Sequence, residues 1–293
     1  MEKALRNRLT YGPLMLIGLF LLLWLDSYIQ RRTRIGGVGV VLLLLLILPL
    51  AMEELATLFA AEHVRPFRVI SILGCSCLVL HGFATQFPKF QHIASSTLAF
   101  IIVFVMLLAA LGRAARQQSQ EAITRMAGTL LATLYLGGLA WFLVALRVKN
   151  LADRSGRAHF VGSTSVVLMI LLVVKFTDIG AYFGGRSLGR HKLILWLSPG
   201  KTWEGLVCGI ITAGLVGMAF APRVAHLSLP KAFIFGVIIG GVGQLGDLME
   251  SMMKRDADVK DSGRLIPGFG GILDVIDSPL FAAPFAYLLF SLV

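Results

Sequence analysis

Between residues 244 and 277 the sequence gathers side chains that could hold a hard metal ion. Asp247, Glu250, Ser251 and Lys254 recur at i, i+3, i+4 and i+7, so a helix would carry all four on one stripe. Asp256, Asp258, Lys260 and Asp261 follow, then the turn Pro267-Gly268-Phe269-Gly270-Gly271, then Asp274 and Asp277. Carboxylates from two separated segments suit Mg²⁺, which takes one or two acidic oxygens and leaves room for waters and substrate phosphates. Without an ion, Asp247 and Asp274 brought together would repel, and one would take up a proton. The alternative is a solvated acidic loop.

A second group of residues suits phosphate. Gly184-Gly185-Arg186-Ser187-Leu188-Gly189-Arg190-His191-Lys192 precedes Ser198-Pro199-Gly200-Lys201-Thr202-Trp203-Glu204-Gly205. Glycines let backbone N–H groups approach phosphate oxygens, and Lys and Arg supply the charge. Gly200-Lys201-Thr202 resembles the end of a P-loop, but Leu195 stands where that motif needs its first glycine, and no strand–helix unit is expected around it. A basic loop that only binds headgroups is the plainer reading. Just upstream, Lys175, Asp178 and Tyr182 fall on one face of an apolar helix, either as an internal ion pair or as the rim of a polar cavity.

The elements that would position these groups are membrane helices. Of 293 residues, 57% are hydrophobic and only 15% charged, too few charges for a soluble surface. Apolar runs at about 11–29, 36–52, 67–84, 94–112, 127–146, 162–184, 205–221, 231–249 and 279–293 are long enough to cross the hydrocarbon as helices. The expected fold is therefore all-α and polytopic, with about nine membrane helices. Residues 1–160 would form N-terminal membrane helices and 161–293 the catalytic helices and loops of one integrated domain. Lys and Arg favour the N-terminal side, placing 185–204 and 250–278 together at the cytoplasmic face. The net charge of +11 sits in short segments between spans, which argues for lipid headgroups and against nucleic acid.

The first half offers little chemistry. Asp26 and Glu53-Glu54 sit at span ends, where solvated or snorkelled side chains account for them. His81 and His92 are isolated and read as satisfied polar residues. Cys75, Cys77 and Cys208 lie in apolar runs as small buried side chains.

The late motifs resemble the phosphatidate cytidylyltransferase (CDP-diglyceride synthetase) family. Its signature runs Ser, Lys-Arg, Lys-Asp, Pro-Gly-His-Gly-Gly, Asp-Arg-x-Asp. The matching residues are Ser251, Lys254-Arg255, Lys260-Asp261, Pro267 to Gly271, and Asp274-Val275-Ile276-Asp277. Lys175-x-x-Asp178, Gly185-Arg186-x-x-Gly189 and Ser198-Pro199-x-Lys201-Thr202-x-Glu204-Gly205 are similar to further blocks of the family. Phe269 stands at the signature His and Val275 at the signature Arg.

The resemblance implies attack by the phosphate of phosphatidic acid on the α-phosphorus of CTP, with pyrophosphate leaving. A phosphomonoester is already anionic at neutral pH, so positioning and charge neutralisation matter more than a strong base. It implies Asp247 and Asp274 as the principal Mg²⁺ ligands, Asp277 as a third acidic member and Ser251 as an oxygen donor. Lys254, Arg255 and Lys260 would hold the triphosphate, with Asp261 orienting one of the cations. Arg186, Lys201 and Thr202 would hold phosphatidate or the leaving group, and Ser198, Glu204 and Asp178 complete the substrate-binding set. A second cation, monovalent or divalent, is left open, and a homodimer is expected from the resemblance alone. Two other readings share parts of this pattern. A CTP-dependent polyprenol or phytol kinase would transfer the γ-phosphate to an alcohol. A transporter would place its polar site near mid-membrane on broken helices.

Overall fold

A computed structural model describes residues 2–115, 117, 120–149, 162–225 and 227–292. Helices α1 (Glu2–Thr33), α2 (Val38–Ala61), α3 (Arg68–Ala84), the short α4 (Pro88–Gln91) and α5 (Ala94–Ala114) come first. Helix α6 (Ala122–Thr133) passes through one π-helical turn at Leu134–Gly138 into α7 (Leu139–Val148). Then come α8 (Gly162–Leu188), strands β1 (Lys192–Ile194) and β2 (Ser198–Thr202), and helices α9 (Trp203–Ala225), α10 (Leu229–Asp256) and α11 (Leu273–Leu292). Among the described residues, 8 helical stretches are long and apolar enough to cross a membrane. The 17-residue α3 fills the position of the one remaining apolar run. The protein is a nearly all-α, multi-pass integral membrane protein.

One compact unit comprises Met1–Val148 and Asp256–Val275. Its core includes Leu44, Leu48, Met52 and Leu55 of α2, Leu78 and Val79 of α3, and Leu136 and Val144 farther on. At the π-helical turn a side chain on Gly137 would stand 2.6 Å from the Cα of Cys75. Only a residue without Cβ lets the two backbones approach this closely, the usual route to tight packing between membrane helices.

Asp26 departs from the snorkelled position expected for it. Its side chain is fully buried, accepting a 2.8 Å hydrogen bond from Arg147 Nε and a 2.9 Å bond from the Gly39 amide. A charge this deep in an apolar unit is retained only when paired and hydrogen-bonded. Glu53 does sit at the surface, against Arg68 at 2.6 Å. His81 is a satisfied polar residue: Trp141 Nε1 donates to its Nδ1 at 2.9 Å, and its Nε2 lies 2.9 Å from the Ala94 carbonyl.

The other unit comprises Lys149–Arg255 and Ile276–Val293. Helix α8 buries Val166, Val167, Met169, Ile170, Val173, Val174 and Thr177. It packs on α9 through small residues: a Cβ at Gly205 would meet the Ala181 carbonyl at 2.7 Å, and one at Gly209 the Thr177 carbonyl at 2.8 Å. Helix α9 meets α10 in the same way, with Gly217 against the Cα of Gly236. Between α8 and α9 the chain forms a small antiparallel hairpin, with Lys192 opposite Thr202 and Ile194 opposite Ser198. β2 leads straight into α9, so a strand–helix unit does surround Gly200-Lys201-Thr202, contrary to the sequence expectation. The three residues lie in the strand itself, however, and not in a loop wrapped round a phosphate.

Candidate active site

Helix α10 remains continuous to Asp256, so the spacing read from the sequence becomes a real stripe. Glu250 and Lys254 confirm the shared face with an i,i+4 ion pair at 3.3 Å. Across from the stripe, the first turns of α11 supply Asp277. Asp247, Glu250 and Asp277 each direct a carboxylate oxygen to one place, all three oxygens within 4.8 Å of one another. Glu250 and Asp277 are buried, at 1% and 4% exposure, and Asp247 is half-buried.

Three carboxylates this close repel unless a cation or proton lies among them. An all-oxygen set with two buried members and one facing a cleft fits a hard ion that keeps part of its shell for substrate. The chemistry of the donors therefore fits Mg²⁺.

The cleft beside Asp247 holds about 520 Å³. Asp178, Tyr182 and Arg186 line it from α8, Ser198, Lys201 and Thr202 from β2, and Gln244 and Asp247 from α10. Lys201 Nζ lies 2.5 Å from Asp247 Oδ2 and donates to Gln244 Oε1 at 3.2 Å. The other end of that amide donates to Asp178 Oδ1 at 2.6 Å. A relay from cation to amide to carboxylate thus ties β2, α10 and α8 together across the cleft floor.

The remaining sequence-predicted residues of this unit lie in and around the hairpin, in α8 and near the end of α10. Thr202 is buried, and its hydroxyl oxygen accepts the Gly205 amide at 3.1 Å, capping the first turn of α9. Glu204 accepts the amides of Arg190 and His191 and a 2.6 Å bond from His191 Nδ1, fixing the turn that leads into the hairpin. Arg186 donates to the Tyr182 hydroxyl at 3.2 Å. Arg255 Nε donates to the Leu197 carbonyl at 3.2 Å, tying the end of α10 to the hairpin. Ser251 is half-buried beside Glu250 in the same helix.

The loop between α10 and α11 is ordered within the other unit. Lys260 and Asp261 are exposed there. Ile266 and Gly270 close a tight turn with a pair of backbone hydrogen bonds of 2.8 and 3.0 Å. Gly268 (φ 88°) and Gly270 (φ 101°) occupy the left-handed conformations that turn requires. Phe269, in place of the signature His, lays its ring within 3.3 Å of the point where a Gly12 Cβ would stand, against α1. Asp274 turns its Oδ2 towards the loop, accepting Gly271 N at 2.7 Å, Ser262 Oγ at 2.9 Å and Ser262 N at 3.0 Å.

The structure thus brings Asp247 and Asp277 together with Glu250, and Lys201 with Asp178. Two members of this arrangement carry no assigned role in the sequence reading. Glu250 and Gln244 lie three residues to either side of Asp247: the helical period already puts Glu250 on the stripe, and carried one step back it reaches Gln244 as well.

The chain matches the Cytidylyltransferase family over residues 7–293. It is 34% identical to "Phosphatidate cytidylyltransferase" of Bacillus subtilis over 251 residues, 84% of this chain and 88% of the relative. A protein of the same name from Staphylococcus saprophyticus is 32% identical over 256 residues, 87% of this chain and 90% of the relative. "Phosphatidate cytidylyltransferase 5, chloroplastic" of Arabidopsis thaliana is 34% identical over 236 residues, 76% of this chain and 57% of the relative. The chain belongs to the cytidylyltransferase family, and its family membership makes it a nucleotidyltransferase.

Proposed function

We propose that this membrane protein transfers CMP from CTP to phosphatidic acid, giving CDP-diacylglycerol and pyrophosphate. The observation that carries the reading is the convergence of Asp247, Glu250 and Asp277 beside Lys201, at the edge of a cleft in a membrane protein of this family. The names borne by the bacterial and plant relatives support the same substrates.

In this reading a phosphate oxygen of phosphatidic acid forms a bond to the α-phosphorus of CTP. The bond from that phosphorus to the bridging oxygen of pyrophosphate breaks, and the leaving group takes the electron pair. The attacking phosphate is already ionised, so the residues here need not remove a proton from it. Their work is to bring two polyanions together and to neutralise the charge that grows on the leaving pyrophosphate. Asp247 and Asp277 are proposed as Mg²⁺ ligands with Glu250, and Asp274 and Ser251 as further oxygen donors on the strength of the signature. Bound there, Mg²⁺ would offset phosphate charge and polarise the reacting phosphoryl group.

Lys201 is held by Asp247 and Gln244 in the cleft and would meet a phosphate of phosphatidic acid or the leaving group, with Arg186, Ser198 and Thr202 beside it. Glu204 holds the preceding turn in shape and Asp178 anchors the amide relay. Lys254, Arg255 and Lys260 are proposed to hold the triphosphate, and Asp261 to orient a neighbouring cation. The distribution of Lys and Arg supports a cytoplasmic site, and the resemblance extends the reading to a homodimer.

The test replaces Asp247 or Asp277 with Asn in purified protein and follows labelled CTP into lipid. Each substitution should lower product formation by about 10²-fold or more while elution and thermal unfolding stay close to those of the unaltered protein. Near-normal turnover in both variants would reject the metal assignment.

A further inference from the structure

Glu54 lies in α2, more than two hundred residues before the loop that carries Asp274, yet its carboxylate is built into that loop. Oε1 accepts the Ile272 amide at 3.0 Å, and Oε2 accepts the Leu273 amide at 2.9 Å. These are orphan donors at the start of α11, where a carboxylate also meets the positive end of the helix dipole. Oε2 also lies 3.1 Å from the Ser262 hydroxyl, which is itself 2.9 Å from Asp274 Oδ2. The two carboxylates share the single proton of that hydroxyl, so Ser262 couples them. Backbone without side chains walls this arrangement: a Cβ on Gly263 or Gly271 would strike the Glu54 carboxylate, and one on Gly271 would also strike the Ser262 hydroxyl.

We infer that Glu54 is a positioning residue, setting the orientation in which the Asp274 carboxylate is offered to a divalent ion. The inference rests on the reading of Asp274 as a metal ligand. Glu54 holds the amides that follow Gly271 and steadies the serine that Asp274 shares. Fixing the partners of a ligand in this way typically changes metal affinity by about 10- to 100-fold.

The experiment compares the unaltered protein with Glu54→Ala, Glu54→Gln and Asp26→Asn, the last weakening a buried ion pair elsewhere in the same unit. Three quantities are read: Mn²⁺ binding by electron paramagnetic resonance, amide exchange of residues 262–274 without metal, and thermal unfolding. Glu54→Ala should weaken Mn²⁺ binding about tenfold and speed exchange at Ile272 and Leu273. Glu54→Gln, which keeps one acceptor oxygen, should fall between Glu54→Ala and the unaltered protein. Asp26→Asn should lower the unfolding temperature and leave Mn²⁺ binding unchanged. Unchanged Mn²⁺ binding in Glu54→Ala, or an equal loss in Asp26→Asn, would overturn the inference. If Asp274→Asn also left Mn²⁺ binding untouched in parallel, the fault would lie with the metal reading and not with Glu54 alone.

Discussion

At the residue scale, the site depends on groups whose partners decide what they can do. Gln244 shows this best. Its carbonyl receives Lys201 and its amide serves Asp178, so one neutral side chain keeps a cation and a carboxylate at opposite ends of the cleft floor. Replacing it with Leu removes both bonds at once. Gln244→Leu should cost about 1–3 kcal/mol of stability, because Asp178 loses a donor in a half-buried setting. It should also raise the KM for phosphatidic acid, with a smaller change in turnover at saturation. Thermal unfolding and steady-state kinetics on the same preparation check this, and unchanged KM would detach the relay from substrate binding.

Spacing made part of this chemistry legible. Asp247, Glu250 and Lys254 could be placed on one face because a helix repeats every 3.6 residues. Asp277 could be attached to them only through the order of the signature. Glu54 gave no local sign, since its partners at Ser262, Ile272 and Leu273 lie far along the chain. Asp26 was misread for the same reason: hydropathy reports that a charge lies near the end of a span, but not that Arg147 waits 121 positions away.

At the element scale, glycines set the distances that the site inherits. The cleft lies between α8, α9 and α10, and these helices touch through Gly180, Gly184, Gly205, Gly209 and Gly217. A Cβ at Gly184 would collide with the Cys208 side chain, whereas one at Gly241 would meet nothing within 4 Å. Gly184→Ala should therefore destabilise the protein by about 1–3 kcal/mol and lower activity as α8 and α9 separate. Gly241→Ala, in open space within α10, should leave activity unchanged and stability equal or slightly higher, since Ala is the better helix former. Comparing the two by thermal unfolding in detergent separates the effect of crowding from that of helix propensity. The helices themselves were readable from apolar runs, because crossing hydrocarbon fixes their length and composition. The hairpin was not, since strands of three and five residues between two long helices leave no period to detect.

At the scale of the whole molecule, a nearly all-helical membrane protein concentrates the polar groups of its candidate site on a few elements. The helices have the length and composition to cross hydrocarbon, and the hairpin, the end of α10 and the start of α11 supply the polar groups. The central claim is that the α-phosphorus of CTP ends on the lipid. Purified protein given phosphatidic acid and Mg²⁺ should place label from α-labelled CTP in the lipid fraction and label from γ-labelled CTP in pyrophosphate. Lipid that carries the γ-label, or no lipid labelling from either nucleotide, would contradict the account.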